Sequence, residues 1–386
     1  MATRLYIRNA ICLAKIETTE GTDSSPTAAL NAVLASELSV EPLAGSTVDL
    51  AYVRPYFGVS PNMRVEDYVT ISLTCDMAGT ATAGTAAPWG PLLRACGMAE
   101  TLTASAVTGT AQASSTTSIT LAAGASSTDG TYVGADITMA GQTRTIIAYN
   151  GTTKVATVHK VYASAPTVGS YTIGANAIYL PVSTGFESIT IYYNVNGVQH
   201  KATGCRGTVS FTLDSNQRPI MKYQFTGIYN AVTDTAVSGS VFTSWQVPVP
   251  VNSSNSEVLL AGKASDGSAT GIQVDKFSLD LGTSVKHRML IGSENVVLTD
   301  RQAKGQVSIE ATTVTFNDWW SQIRAATKFP MLIENGTAAG NTVGIFMPSS
   351  QLIDPKYSDV DGVAELDMGF LAIPSVGNDE VRVCVK

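Results

Sequence analysis

The sequence predicts a mainly β protein with two tandem β-sandwich or barrel domains, one flanking helix in each, and a small all-β insert. Three observations lead to this prediction. Charged residues make up only 14% of the 386 residues, below the roughly 25% typical of soluble domains. Segments with a hydrophobic period of two alternate with turn-rich stretches along most of the chain. Short helical patterns occur at two corresponding places.

The first helical pattern is the stretch PWGPLLRACGMAE, which follows a strongly alternating segment. In that segment, DYVTISLTCDM, apolar residues occupy every second position over residues 69–75. Such alternation is the signal of a half-buried strand. A proline suits the first turn of the helix, and Leu92 and Leu93 are predicted to supply its core contacts.

The same order of strand, strand, helix and strands recurs later in the chain. KGQVSIEATTV corresponds to DYVTISLTCDM, and FNDWWSQIRAAT corresponds to the first helix. Asn317 or Asp318 can cap the second helix, and Trp319, Trp320 and Ile323 are predicted to be its core contacts. We therefore expect an internal duplication in which each helix covers one face or end of a small β-domain.

Residues 108–176 have a different texture, with short strands separated by turn signals. Asn150-Gly151 lies between two of these strands and is a strong hairpin marker. Because nothing similar occurs later in the chain, we interpret this region as an inserted β-module. The predicted domains are residues 1–107 with 177–235, the insert 108–176, and a second domain over 236–386 that begins in a Pro- and Ser-rich linker.

The segment from about residue 13 to 37 fits neither a regular strand nor a long helix. The stretch CLAKIETTEGTDSSPTAALNAVLASE mixes turn residues with a short Ala-rich piece. Irregular segments of this length are unusual inside a compact domain and often have a function. We predict an extended arm or long loop.

The charge and cysteine content exclude several classes of protein. A net charge of −7 and a pI of about 5.0 argue against a protein that grips nucleic-acid phosphates, because such binding relies on Lys and Arg. Nucleic acid could still pass such a surface without sticking. The five cysteines are scattered and lack a Cys-x-x-Cys pair, so neither a disulfide framework nor a zinc site is expected. We find no secretory signal and no run that could span a membrane.

No catalytic constellation stands out, so we predict neither an enzyme nor a bound cofactor or metal. His159, His200 and His287 have no second histidine or cysteine at ligand spacing. There is no Gly-x-Ser-x-Gly elbow, P-loop or dinucleotide motif. DVDGVAE lacks the length of a calcium loop and is interpreted as an Asp-Gly hairpin turn. A Ser/His/Asp triad is defined by geometry and stays open.

Three stretches in order resemble the start of the tail tube, or major tail, proteins of long-tailed bacteriophages. They are LAKIETTEGTDSSPTAALNAVLASELSVEPLAG, YVRPYFGVSPNMRVEDYVTISLTCDMAGT and APWGPLLRACGMAE, and they cover roughly residues 13–100. The module at 108–176 is similar to β-insertions of phage virion proteins. Residues 236–386 match only in the order of their elements, so the fold expected from the resemblance is two tandem tail-tube-like domains with an insert.

The resemblance implies a structural virion protein that polymerises into stacked rings around a lumen for DNA ejection. It implies that the arm contacts adjacent rings, and the residues assigned to that contact are Lys15, Glu17, Thr18, Thr19, Asp23 and Pro26. Rings of this family usually hold six domains, so a duplicated chain implies homotrimeric rings with pseudo-sixfold symmetry. Open rings of this kind stack by heterologous contacts.

The expected partners are further copies of the chain, with a tape-measure protein and DNA in the lumen without tight binding. Tail terminator and tail-tip proteins are expected at the ends of the tube, and no membrane is involved. The expected location is the virion tail, assembled in the host cytoplasm.

Other classes of protein remain as alternatives. A secreted or surface adhesin, or a carbohydrate-binding protein, can be built from similar Thr/Ser/Gly-rich β-domains. A β-sandwich hydrolase would need a cluster of His, Asp and Glu that the sequence does not reveal. Among phage proteins, a tail terminator or a capsid decoration protein is the nearest alternative, and a terminator would form one ring without stacking.

Overall fold

A computed structural model describes residues 4–236, 239–265 and 271–386 of the chain. Strands take up 51% of the residues and helices 4%, which confirms the predicted mainly β fold. The sheets are consistent with a β-sandwich, and within the described ranges they do not close into a barrel.

The elements up to residue 103 include two short helices, one predicted from the sequence and one inside the segment predicted as an arm. In chain order they are β1 (Ala10–Ile16), α1 (Ala28–Asn31), β2 (Ala32–Val33), β3 (Ala35–Ala44), β4 (Thr47–Asp49), β5 (Asn62–Arg64), β6 (Tyr68–Asp76), α2 (Gly90–Ala95) and β7 (Met98–Thr103). The predicted helix is α2, which begins just after the buried Trp89 and holds Leu92 and Leu93 in the core. Gly97, at a φ of +86°, lets the chain leave the helix in the left-handed conformation.

Residues 107–173 form a separate sheet, and its hydrophobic core also includes Leu259, Leu332 and Phe346 from outside the module. Its strands are β8 (Val107–Thr110), β9 (Ala113–Ser114), β10 (Ser118–Thr120), β11 (Asp136–Met139), β12 (Gln142–Asn150), β13 (Val155–Val158) and β14 (Ser170–Ile173). Asn150 and Gly151 lie at the turn between β12 and β13, where the Asn150 side chain accepts hydrogen bonds from Thr152 and Thr153. The strands flanking this module, β7 and β15 (Asn176–Pro181), pair directly with each other, so the module interrupts a hairpin.

The remaining strands build the rest of the sandwich. They are β16 (Ile189–Val195), β17 (Val198–Asp214), β18 (Ile220–Tyr229), β19 (Thr233–Asp234), β20 (Ser256–Leu260), β21 (Lys263–Ala264), β22 (Val274–Asp280), β23 (Thr283–Leu290), β24 (Ser293–Arg301), β25 (Lys304–Glu310), then α3 (Trp319–Arg324), β26 (Lys328–Asn335), β27 (Val343–Val360), β28 (Val363–Ala372) and β29 (Arg382–Val385).

The inner layer of the sandwich is a row of antiparallel strands in which one order occurs twice. The first set runs β3-β6-β18-β17, and the second runs β22-β25-β28-β27. In each set, a hairpin connects the first strand to the second along the chain, and a helix follows the second strand. Pairing of β17 with β22 joins the two sets into one continuous row.

The outer layer also runs across both sets of strands. Its order is β7-β15-β29-β27-β26-β20, and the last strand of the sequence joins β15 to β27. A single hydrophobic core fills the space between the layers and contains residues from both halves of the chain. The two halves therefore share their sheets and their core.

The two predicted helices differ in how many of their apolar side chains are buried in this core. Trp89 and Trp319 are buried, and Ile323 is half-buried against the core. Trp320 is 38% exposed and its ring lies 5.6 Å from that of Tyr357, so its assignment to the core was wrong. Consecutive helix positions point about 100° apart, and a six-residue helix buries only one of two adjacent tryptophans.

Candidate assembly surfaces

The inner row of strands has one face on the core and one polar face. Phe211, Leu279, Val307 and Phe370 point into the core, and the residues between them in each strand point the other way. We call this second side the polar face. Its uncharged residues include Ser39, Ser72, Gln224, Thr208, Ser210, Ser278, Gln306 and Ser308, which follow one another across the paired strands.

The polar face carries more carboxylates than amines. The carboxylates are Glu37, Glu41, Asp76, Asp214, Asp280, Glu310, Glu365 and Asp367, and the amines are Lys222, Lys276, Lys304 and Lys356. Burial, followed by the nearby Asp275 carboxylate, raises the pKa of Glu365. The hydroxyl of Ser308 donates to Asp367 and lowers its pKa. A face with this charge repels phosphate groups.

The inner row ends in two edges that have no partner strand within the described residues. One is the side of β3 that faces away from β6. The other is the stretch of β27 after Gln351, where β26 has ended and only β28 pairs. Inside the chain, the corresponding strands β17 and β22 do pair, with Ser210 opposite Asp280 and Asp214 opposite Lys276. Unpaired strand edges are ready templates for pairing with another chain.

Two hairpins project from the same end of the inner row. The first is the excursion between β3 and β6, which includes β4 and β5, and the second is formed by β23 and β24. Tyr56, Phe57 and Val59 are largely or fully exposed in the first, and so is Ile291 at the turn of the second. We call these the hairpin tips. Groups of exposed apolar side chains mark sites of protein interaction.

His287 ties the bases of the two hairpins together. Its Nδ1 lies 2.8 Å from Glu66 of the first excursion, and its Nε2 lies 3.1 Å from Glu294 of β24. The ring of Tyr68 packs against the imidazole at 5.0 Å. The His287 side chain is buried and both carboxylates are partly exposed, and these contacts hold one hairpin against the other.

The predicted arm is folded onto the body of the protein and is not extended. Lys15 belongs to β1, opposite Thr190. Glu17 is buried and accepts hydrogen bonds from the hydroxyls of Ser188 and Thr190 and from two backbone amides. Asp23 accepts from the Tyr192 hydroxyl and the Lys201 amine, both at 2.6 Å. Of the other predicted contact residues Pro26 is buried, whereas Thr18 and Thr19 are exposed, as is Lys15.

We expect Glu17→Ala to lower the free energy of unfolding by about 3 kcal/mol, because it leaves several buried donors without an acceptor. Urea unfolding followed by fluorescence measures this change. Thr18→Ala, one residue away on the exposed side, is the matched control and should leave the midpoint unchanged. Equal midpoints for both variants would show that the segment is not anchored through Glu17.

The comparisons with known proteins leave these surfaces as the main guide to function. No family model matches the chain, and no curated protein is similar enough in sequence to count as a relative. Among the residues that the structure describes, none of the helices is long and apolar enough to cross a membrane.

Proposed function

We propose that this protein is the subunit of a phage tail tube, which polymerises into stacked rings that conduct DNA. The observation that carries the proposal is the repeated strand order of the inner row. The β17–β22 junction shows how one repeat joins the next. The unpaired edge of β3 corresponds to the edge of β22, and the unpaired edge of β27 corresponds to the edge of β17. The two edges that pair inside the chain are therefore left open at the two ends of the row.

The repeat also predicts the register of the contact between copies. When the two repeats are aligned so that Cys75 corresponds to Ile309, Thr70 corresponds to Lys304. Glu41 lies opposite Thr70 and Asp280 lies opposite Lys304, so Glu41 corresponds to Asp280. The same alignment matches Ser358 to Thr212. Since Thr212 pairs with Ser278, Ser358 of one copy is expected opposite Ser39 of the next, and Lys356 opposite Glu41.

Such a contact joins two different edges, so it is heterologous and repeats from copy to copy until the row closes. Each chain brings two repeats, and three copies supply the six that a pseudo-sixfold ring needs. We therefore propose homotrimeric rings, with the polar face lining the lumen. The excess of carboxylates on that face would let DNA and a tape-measure protein pass without tight binding.

The hairpin tips support stacking of one ring on the next, because they project together from one end of the row. The contact role predicted for the arm moves in this proposal to residues 45–67 and the β23–β24 hairpin. Terminator and tail-tip proteins would cap the two ends of the tube. The proposed location is the virion tail, assembled in the host cytoplasm.

Negative-stain electron microscopy of the concentrated protein, with native mass spectrometry of the same sample, tests the proposal. We expect rings or tubes with a central hole and a ring mass of three chains. Rings of six chains would contradict the duplicated arrangement. Single rings that never stack would favour a tail terminator, and monomers at every concentration, with no assembly after a tail-tip complex is added, would contradict the proposal.

A further inference from the structure

A buried lysine lies where the inserted module meets the outer layer of the sandwich. The side chain of Lys386 is 3% exposed, and its Nζ lies 2.5 Å from Oδ1 of Asp136 in β11. The same nitrogen donates to a carboxylate oxygen of Glu334 in β26 and, at 2.8 Å, to Oγ1 of Thr145 in β12. One amine thus contacts two carboxylates that belong to different parts of the fold.

The backbone holds this lysine firmly in place. The Lys386 amide donates to the carbonyl of Thr342, and the Lys386 carbonyl accepts from the amides of Gly340 and Thr342. The hydroxyl of Thr145 lies 2.9 Å from Asp136 and 2.8 Å from Glu334. The amine of Lys386 and the two carboxylates are therefore held at contact distance, which removes most of the entropic cost of bringing them together for a reaction.

The charges in the cluster do not balance as a simple ion pair. Two carboxylates face one ammonium group, and the apolar side chains of Leu332 and Phe346 belong to the adjoining core. Glu334 and Asp136 are both partly buried, with side chains 13% and 30% exposed, and a second such carboxylate adds desolvation cost to an ion pair that needs only one. It has a clear use if a proton must be carried between the other two groups, because a carboxylate at hydrogen-bond distance is a general acid and base.

We propose that Lys386 and Asp136 condense into an isopeptide bond, with Glu334 as the proton carrier. Glu334 takes a proton from the Lys386 ammonium and passes it to the Asp136 carboxylate. The free amine then attacks Cγ of Asp136, forming the C–N bond. Glu334 carries a second proton from the nitrogen to the departing oxygen, the C–O bond breaks, and water leaves. One ammonium and one carboxylate become one amide and one water, with no oxidant or reductant.

The role of Glu334 follows from the state of the lysine before the reaction. Although burial lowers it, the two carboxylates hold the pKa of Lys386 above its ordinary value. The nitrogen is therefore protonated at rest and has no lone pair for attack. A neighbouring base has to remove that proton, and Glu334 is in contact to do so. Glu334→Gln keeps the shape but removes this base.

The bond would join the module at 107–173 covalently to Lys386, the residue directly after β29, and β29 links the two halves of the outer layer. Arg382 already donates from β29 to the carbonyls of Gly130 and Val133 in the module, so the two parts are docked before they are linked. This inference is independent of the proposed function, since it concerns only contacts within one chain.

Intact mass spectrometry of the reduced, denatured protein tests it directly. We expect the wild-type chain to weigh about 18 Da less than its sequence, the mass of one water. Trypsin, which cleaves after Arg94, Arg144 and Arg382, should then release residues 95–144 joined to residues 383–386 as one branched peptide. The full sequence mass, with the two peptides found separately, would overturn the proposal.

Variants distinguish the Lys386–Asp136 isopeptide bond from other reactions that lose water. Lys386→Met and Glu334→Gln should show their full sequence mass. Asp136→Asn should react with loss of ammonia, about 17 Da. Lys276→Met, on an exposed lysine beside Asp275, is the matched control and should keep the loss of water. A succinimide, as at Asp129-Gly130, would lose the same mass without the branched peptide, and finding it alone would also overturn the proposal.

Discussion

Replacing Lys356 with Glu is expected to abolish ring formation and leave folded single chains. In the register proposed for the contact between copies, Lys356 of β27 lies opposite Glu41 of β3 in the next copy. The variant places two carboxylates opposite each other on paired strands, which is destabilising. A cost of about 2 kcal/mol per contact weakens each one by roughly thirtyfold. Every contact of a closed ring pays this cost, so the effect on assembly is large.

Glu41→Lys should have the same effect, and the double variant Lys356→Glu with Glu41→Lys should restore the rings. Sedimentation velocity and native mass spectrometry at several concentrations measure the distribution between single chains and rings. Lys15→Glu makes the same change of charge on β1, away from both edges, and should leave ring formation intact. Failure of the double variant to rescue, with both single variants folded, would contradict the register. Normal rings for Lys356→Glu would contradict the contact itself.

Those features of the fold that depend on local chemistry could be predicted from the sequence. Asn196 and Gly197 both adopt a positive φ in the tight turn between β16 and β17, as the pair Asn-Gly favours. The side chain of Asp318 caps α3 by accepting from the amide of Ser321. In both cases the information lies within a few neighbouring residues, so a short stretch of sequence is sufficient.

The arm was misread because its partners are distant in the sequence. A glutamate in a segment rich in turn residues is expected to be exposed. Glu17 is buried instead, because it accepts hydrogen bonds from Ser188 and Thr190, which lie more than 170 residues away. No local pattern reveals that a hydroxyl will reach a carboxylate across such a separation. The contact between Lys386 and Asp136 was missed for the same reason, because its members lie 250 residues apart.

The hairpin tips were missed for a different reason. The stretch YVRPYFGVSPNM contains several large apolar residues but no period of two or of 3.6. Its prolines and glycine indicate a loop, whereas its aromatic residues indicate burial, and sequence alone does not decide between the two. The structure resolves the conflict, since Tyr56 and Phe57 are exposed on the excursion. Apolar side chains in an aperiodic, proline-containing loop are a usable signal for an intermolecular contact.

The double variant Tyr56→Ser with Phe57→Ser is expected to form rings that no longer stack into tubes. Phe57 is fully exposed in the single chain and Tyr56 is 65% exposed, so both can be removed without opening a cavity in the core. Burying a large apolar side chain in a contact stabilises it by about 1.5–3 kcal/mol. Every copy in a ring contributes its own tip, so the loss multiplies around the ring, whereas the edges that close the ring are untouched.

Electron microscopy distinguishes the two outcomes, because single rings and tubes differ in side view, and sedimentation gives the ring mass. Val376→Ser changes another largely exposed apolar residue, in the loop between β28 and β29, and it should leave tubes intact. Tubes of normal length from the double variant would exclude the tips from the stacking contact. Loss of the rings as well would show that the excursion between β3 and β6 acts within a ring. Because Lys356→Glu is expected to stop ring closure and the tip variant only stacking, the two together separate the contacts that close a ring from those that extend a tube.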